Sequence, residues 1–266
     1  MNVMSKKATI GAWLQSKQDN ESLEMLQKYI NYFVTIDSYL KLRVVQHVKD
    51  NYTKIGRVLY KTRDCYKDNM TYKQFAKSVQ DVASANVDLR LLIEKSIDII
   101  LAKDEKLKAF SRSDVKNVIL CYIFFTTYVA YSFEQQVRDL IISSDRFKAG
   151  KLDVLDDRFA IDLVVLDKVT KKRIALQFKS FTFLNMSADK RNNYKNKNIQ
   201  AINKKFVDDV YYVFHTHTCE IVTNNFVQLT HYKDACSCDD NIVLIEDDEY
   251  FIKELIMSFE HLEKAI

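Results

Sequence analysis

The pattern of hydrophobic and polar positions divides the chain into a helical first part and a mixed second part. Apolar residues recur at helical spacing after Asn20, a residue type typical of helix caps, and the pattern continues to Leu40. Further helical patterns cover 72–85, 88–104 and 113–142, and Ser113 or Asp114 is the expected cap of the last. That last helix is apolar on all sides, which is typical of a central buried helix.

Apolar runs in the second part predict strands. They cover 153–166, 173–183, 209–214 and 241–245. The segment 187–206 is polar and basic with helical potential near its end, and the chain after Glu246 has a helical pattern. The order predicts an α/β (α+β) fold, in which helices flank a mixed central sheet. We therefore expect a helical N-terminal region over 1–110 and an α/β core over 111–266.

Composition narrows the class of protein. The 266 residues are 47% hydrophobic with no Pro and 3 Gly, which favours a compact, helix-rich chain with a sizeable core. The longest apolar run, from Val118 to Tyr131, is too short to span a bilayer comfortably, and the N-terminus lacks the apolar segment of a signal peptide. The 5 Cys lack regular spacing and favour free thiols. We therefore expect a cytoplasmic protein that makes no membrane contact.

The segment 159–180, which reads FAIDLVVLDKVTKKRIALQFKS, predicts a β-hairpin that carries polar residues within apolar strands. Asp162 lies where a buried strand ordinarily holds Val or Ile, and burial of an unpaired carboxylate is costly. Gln177 and Lys179 are two residues apart, so both point to one face of their strand. A carboxylate and an amide oxygen can hold Mg²⁺, to which the Phe178 backbone carbonyl adds a ligand, and a nearby ammonium can assist phosphodiester cleavage. The alternative is an amphipathic hairpin whose polar residues face solvent.

Asp162 followed by Gln177-Phe178-Lys179 resembles the core of the PD-(D/E)xK nuclease superfamily, in a variant where Gln replaces the second acidic residue. Ile161-Asp162 with Leu176 to Ser180 is similar in pattern to the Taq-like type II restriction endonucleases. The resemblance covers residues 130–180, and no Pro precedes the Asp. It implies a restriction-endonuclease-like fold, with 111–266 as the catalytic core and 1–110 serving to wrap DNA or to dimerise.

The resemblance also implies that a Glu on the helix before the hairpin contributes to the metal site. Glu134 is the residue that occupies this place, and its role is either metal binding or that of an ordinary solvent-facing helix residue. Arg138, one turn later, either contacts phosphate or pairs with Glu134. Asp157 belongs to an acidic cluster that we interpret as a solvated turn, with Asp157 as a reserve metal ligand.

The segment from Lys190 to Lys205 carries 6 Lys or Arg and no acid, with Asn and Gln interleaved. Lys and Arg neutralise phosphates, and Asn and Gln can read adenine edges. The segment follows the predicted catalytic strand directly, so we expect it to contact double-stranded DNA; a solvated basic loop is the alternative. The expected contacts are Lys190, Arg191, Asn193, Tyr194, Lys195 and Lys197.

Histidine and cysteine residues cluster between 215 and 238. All are residue types that ligate zinc, but no pair has the spacing of a zinc knuckle, so we expect strand-end residues and free thiols. The cluster comprises His215, His217, Cys219, His231, Cys236 and Cys238.

Three functions are consistent with these features. The first is an Mg²⁺-dependent type II restriction endonuclease that hydrolyses double-stranded DNA at a short site and leaves 5′-phosphates. Such an enzyme commonly acts as a homodimer and has a cognate DNA methyltransferase. The second is a defence nuclease of relaxed specificity. The third is a DNA-binding or protein-interaction module in which the hairpin is structural.

Overall fold

The computed structural model describes residues 17–50, 70–85, 87–103, 105–122, 124, 127–150, 156–180, 183–215, 227–236 and 248–264. These residues form two compact units. One unit comprises the described residues up to Ser132, and the other comprises the described residues from Phe133 onward. The division falls within a helix, so each unit is described below by itself.

The first unit is helical. Its elements are α1 (Asn20–Thr35), α2 (Ser38–Asp50), α3 (Tyr72–Ala85), α4 (Val87–Ala102), a 3₁₀ turn (Glu105–Ala109), α5 (Arg112–Cys121) and the start of α6 (Thr127–Ser143). Tyr72 packs edge-to-face on Tyr29 and Tyr128, and Phe75 lies against both Tyr72 and Tyr128. This aromatic cluster joins α1, α3 and α6. The helices predicted near 72–85 and 88–104 are confirmed as α3 and α4.

Two of the helices predicted from sequence have wrong boundaries. The cap of α1 is Asp19, whose carboxylate accepts the Ser22 N–H at 2.7 Å, and the predicted helix through Leu40 is broken because the Asp37 carboxylate accepts the N–H groups that begin α2. Within the predicted helix 113–142, α5 ends at Cys121 and α6 begins at Thr127, and the described residues between them, Tyr122 and Phe124, are π-helical. Ser111, rather than Ser113 or Asp114, caps α5, with the Asp114 carboxylate completing a capping box.

The second unit is an α/β unit built on a five-stranded mixed sheet. Its elements after α6 are β1 (Phe147–Gly150), α7 (Asp156–Phe159), β2 (Leu163–Asp167), β3 (Arg173–Ser180), α8 (Ala188–Asn203), β4 (Asp209–His215), β5 (Val227–His231), a 3₁₀ turn (Asp234–Cys236) and α9 (Asp248–Lys264). The strand order is β1-β2-β3-β4-β5, in which β3 and β4 are parallel and the other pairs are antiparallel. This confirms the predicted mixed α/β architecture and the C-terminal helix.

The strand predicted over 153–166 is wrong in its first half. A short helix, α7, occupies 156–159, and Ala160 then adopts a left-handed conformation at φ 54°, so β2 begins at Leu163. The strands β1 and β5 were not predicted, and the predicted strand 241–245 lies outside the described residues.

Helices cover both faces of the sheet. On one face, Val164, Ala175 and Tyr212 share a buried cluster with residues of α8. On the other face, Phe133 of α6 packs edge-to-face on Phe178 of β3, and Phe147 stacks on Phe259 of α9. Because side chains alternate along a strand, Gln177 and Lys179 belong to the α8 face, opposite Phe178.

The helix α8 is longer than predicted, since helical structure begins at Ala188 rather than near the end of the segment. Each exposed Asn costs roughly 0.6 kcal/mol of helix propensity relative to Ala, which explains the weak sequence signal. Tertiary packing of Ala201, Ile199 and Ile202 on the sheet compensates. The helix ends in a Schellman motif in which Phe206 N–H bonds to Ala201 O and Lys205 is left-handed at φ 57°.

A buried ion pair fixes the hairpin that joins β2 to β3. The fully buried Asp167 accepts hydrogen bonds from Arg146 at 2.8 and 3.1 Å, and from Val169 N–H and Thr170 Oγ1 at 3.0 Å. Although burial by itself raises the pKa of a carboxyl group, these hydrogen bonds lower the pKa of Asp167 below its ordinary value. The hairpin turn is therefore held by one side chain.

We expect Asp167→Asn to lower the free energy of unfolding by about 3 kcal/mol at neutral pH, because Arg146 loses its buried charged partner and keeps only the more distant Glu260, at 3.8 Å. A carboxylate with a lowered pKa stabilises the fold above its ordinary pKa and loses this effect as pH falls through the folded-state pKa. Urea unfolding of both proteins at pH 7 and pH 3 should therefore show a smaller difference in acid. An equal difference at both pH values would contradict the assignment.

Candidate active site

The Asp162 carboxylate makes a hydrogen bond to β3 that a backbone carbonyl of the neighbouring strand would ordinarily make. Its Oδ2 accepts the Phe178 N–H at 2.6 Å, while Asp162 N–H donates to Leu176 O at 3.1 Å. The left-handed Ala160 turns the preceding chain away from β3, so the carboxylate, instead of backbone, pairs with Phe178. This contact places the Asp162 carboxylate next to the Phe178 backbone; a shared site with the Gln177 and Lys179 side chains stays a prediction.

Two oxygen atoms of β3 are candidate ligands beside the Asp162 carboxylate, namely Gln177 Oε1 and the Phe178 backbone carbonyl. The β2–β3 ladder begins with the pair Leu163–Leu176, so Asp162 directly precedes the paired part of β2 and Gln177 directly follows Leu176 on β3. Gln177 is 1% exposed, and its Oε1 has no hydrogen-bond partner within the described residues. The N–H and C=O of a residue in a strand point to the same side, so the Phe178 carbonyl also faces the edge at which Asp162 lies. An unpartnered buried carbonyl is costly, and a cation or water would satisfy it.

The Lys179 side chain lies on the same face as Gln177. Its ammonium sits 4.9 Å from the centre of the Tyr194 ring, and Tyr194 in turn packs edge-to-face on Phe183 at 5.4 Å. A cation over an aromatic face is attracted to it, so Tyr194 of α8 restrains the Lys179 ammonium. Lys179 is half-buried, which leaves its ammonium within reach of a bound phosphate.

Two residues that the sequence did not point out also lie on this face. The buried Tyr212, which is in register with Gln177 on β4, accepts a hydrogen bond from Asn198 Nδ2 at 2.9 Å. Burial raises the pKa of the Tyr212 phenol, and the negative charge of Asp162 acts in the same direction. Their proximity depends on β4 pairing with β3, which residue spacing alone does not reveal.

Glu134 occupies a different position from the other predicted ligands. It is half-buried on α6, next to Phe133, and Phe133 packs on the face of β3 opposite Gln177 and Lys179. Its role as an acidic ligand stays a prediction, as does that of Arg138 on the same helix. The side chain of Asp157 lies outside the described residues.

The donor set suits a hard cation. A carboxylate, an amide oxygen and a backbone carbonyl are ligands that Mg²⁺ accepts, and Mg²⁺ fills its remaining positions with water and substrate phosphate. Nowhere in the described part of the chain do three His, Cys, Asp or Glu side chains form a metal-binding group. The set at β2–β3 contains a single carboxylate, so the unpartnered Gln177 oxygen is the observation that favours a cation here.

The predicted DNA-contacting residues all lie on α8, but they divide into two groups. Arg191 donates from Nη1 to Leu184 O and Met186 O, and Tyr194 packs toward the sheet, so both support the helix. The others are Lys190 and Asn193, which are exposed, and Lys195 and Lys197, which are half-buried.

The histidine and cysteine cluster is described in part. His231 Nε2 lies 2.8 Å from Asp209 Oδ1, and the half-buried Cys236 is a reduced thiol whose Sγ donates to Arg191 O at 3.9 Å. His217, Cys219 and Cys238 lie outside the described residues, as does the side chain of His215.

Comparisons with protein-family models, with curated proteins and with solved structures find no match. A search of the described helices finds none with the length and apolar character needed to cross a bilayer. Function is therefore inferred from the residues themselves.

Proposed function

We propose that this protein is a Mg²⁺-dependent endonuclease of the type II restriction class, acting on double-stranded DNA. The observation that carries the proposal is the hydrogen bond from Phe178 N–H to the Asp162 carboxylate, which places that carboxylate beside the strand segment of Gln177 and Lys179, where the Gln177 oxygen lacks a partner among the described residues. An element order of helix, hairpin, crossover helix and parallel strand supports the restriction-endonuclease-like fold that the PD-(D/E)xK resemblance implies.

Each residue has a distinct task in the proposed reaction. Asp162, Gln177 Oε1 and the Phe178 carbonyl hold Mg²⁺, which when bound polarises the scissile phosphate and lowers the pKa of a coordinated water. Lys179 donates hydrogen bonds to the attacking water and to the non-bridging phosphate oxygens, where negative charge accumulates. The water oxygen forms a bond to phosphorus and releases a proton to solvent, while the bond from phosphorus to the 3′-oxygen breaks and that oxygen takes up a proton from solvent. The products therefore carry a 5′-phosphate and a 3′-hydroxyl.

The position of Lys179 is set by its neighbours. Its ammonium would be free to rotate on a four-carbon stem if β3 alone held it, and the Tyr194 ring removes part of that freedom. Fixing a catalytic group before the substrate arrives avoids an entropic cost in the transition state. Tyr194 is therefore assigned as a positioning residue rather than a DNA contact.

The restriction class implies further partners. Cleavage of both strands at a symmetric site is served by two copies of the catalytic unit, so a homodimer is proposed. A cognate DNA methyltransferase, which protects the host's own sites from cleavage, is also proposed because the protein is assigned to the restriction class. Glu134 is proposed as an additional ligand from α6.

Digestion of phage DNA by the purified protein, with Mg²⁺ or with EDTA, tests the proposal. We expect discrete fragments that require Mg²⁺ and carry 5′-phosphates. A Mg²⁺-dependent smear would favour the defence nuclease of relaxed specificity. The digestion is repeated at several salt concentrations because electrostatic binding to DNA depends strongly on salt. Intact DNA at all of them would contradict cleavage of unmodified DNA and favour the binding module.

A further inference from the structure

The outward face of α8 carries mostly amide side chains. Successive residues of a helix are rotated by about 100°, so residues at spacings of three, four, seven and eleven share one arc. The amide residues on the outward arc are exposed, and they are Asn192, Asn193, Asn196, Gln200 and Asn203. We call these five residues the amide face; Asp189, the only acidic residue of the helix, is exposed in the first turn and lies on the same arc, three, four and seven residues before Asn192, Asn193 and Asn196.

The amide face is unusual for a surface helix. Outward helix positions ordinarily carry charged residues of high helix propensity, whereas Asn disfavours helix. None of the five amides hydrogen-bonds to another side chain within the described part of the chain. The amides therefore weaken the helix without supporting the fold, and their donors and acceptors are available to a ligand.

Lysines border the amide face on both sides. Lys190 and Lys197 are seven residues apart and lie along one border. Lys195 lies along the other border, where the helix turns back toward the sheet. A central strip of paired donors and acceptors with positive charge on each side is complementary to a groove of base edges between two phosphate backbones.

We propose that the amide face enters the major groove of double-stranded DNA and reads A·T base pairs, with the bordering lysines on the two phosphate backbones. The major groove admits an α-helix, and Asn or Gln pairs in bidentate fashion with the N6 and N7 atoms of adenine. This inference rests on the proposed function for its substrate and adds the surface and the base preference.

The inner side of the same helix contacts the candidate active site. Tyr194 faces Lys179, and Asn198 holds Tyr212, so the helix is fixed to β3 and β4 on the side opposite the amides. Base reading by the outer side would therefore be linked rigidly to the position of the scissile phosphate. Such coupling is what a site-specific nuclease requires.

Selection of DNA from a pool tests the inference. The full-length protein is incubated in EDTA with short duplexes that carry a randomised core, and the bound duplexes are sequenced. We expect enrichment of A·T pairs at two or more fixed positions. In the triple variant Asn193→Ala/Asn196→Ala/Gln200→Ala, affinity for the enriched duplex should fall roughly ten-fold or more while affinity for a G·C duplex is retained. Alanine is the better helix former, so the melting temperature should not fall.

Two control variants separate base reading by the amide face from phosphate binding by the lysines. Asn31→Ala removes an exposed amide of α1 and should leave the enrichment unchanged. Lys190→Ala/Lys197→Ala should weaken binding to all sequences alike. The slope of log K against log salt concentration should become shallower by about 0.9 for each phosphate that is no longer neutralised.

An unchanged enrichment in the triple variant, the absence of any A·T enrichment or the absence of DNA binding would overturn the inference. Because the selection is performed in EDTA, it does not depend on cleavage. Enrichment that survives the triple variant leaves the nuclease proposal standing. Conversely, DNA cleavage unaffected by loss of Lys179 would overturn the nuclease proposal and leave the amide face standing.

Discussion

Lys179→Met is expected to reduce the rate of DNA cleavage roughly 10²- to 10⁴-fold, the range typical of a missing proton-transfer or charge-stabilising group. Met keeps the unbranched apolar stem against Tyr194 and removes the ammonium that lies 4.9 Å from its ring. The loss falls on the transition state, where phosphate charge is greatest, so binding of intact DNA should change little. The measurement is single-turnover cleavage alongside binding by fluorescence anisotropy.

The matched control is Lys148→Met. Lys148 is an exposed lysine on the edge strand β1, so its replacement removes the same charge from the same sheet. It should cut DNA at the wild-type rate. Tyr194→Phe, which keeps the ring beneath Lys179, should also retain activity. Equal losses in Lys179→Met and Lys148→Met would show that general charge, rather than position, governs the rate.

Asp162→Asn is expected to reduce cleavage about 10³-fold and to raise the Mg²⁺ concentration needed for half-maximal activity. Asn retains an oxygen that can accept the Phe178 N–H, so the local backbone pairing is kept while the negative charge is removed. Thermal unfolding without metal should therefore be similar for both proteins. The measurement is a Mg²⁺ titration of the cleavage rate.

Asp145→Asn is the control for Asp162→Asn. Asp145 is an exposed carboxylate in the turn before β1, and its replacement should leave the Mg²⁺ dependence unchanged. If Asp162→Asn cut DNA at the wild-type rate and with the same Mg²⁺ requirement, Asp162 would be assigned to backbone pairing alone. The amphipathic-hairpin interpretation would then be favoured.

The sequence predicted those parts of the fold that depend on local pattern. β3 and β4 were predicted because their apolar runs are long, and the shared face of Gln177 and Lys179 follows from the two-residue period of a strand. The start of β2 was missed because the left-handed Ala160 is an unusual conformation for a residue with a Cβ atom. The length of α8 was missed because its packing on the sheet overrides the low helix propensity of its asparagines.

The candidate site was predictable in part for the same reason. Spacing alone placed Asp162 near Gln177 and Lys179 once a hairpin was assumed. The Tyr194 ring beside Lys179 and the Asn198–Tyr212 hydrogen bond required knowledge that β3 and β4 are parallel and that α8 crosses between them. Such long-range pairings are set by the whole sheet, and no local spacing encodes them.

Cleavage of supercoiled plasmid by the wild type and by Lys179→Met, purified identically and compared in Mg²⁺, tests the central claim most directly. The account predicts that the wild type converts the plasmid to nicked and linear forms, and that Lys179→Met leaves it supercoiled although it binds DNA equally well. Equal cleavage by the two proteins, or no cleavage by either, would contradict the assignment of Asp162, Gln177 and Lys179 as a nuclease active site.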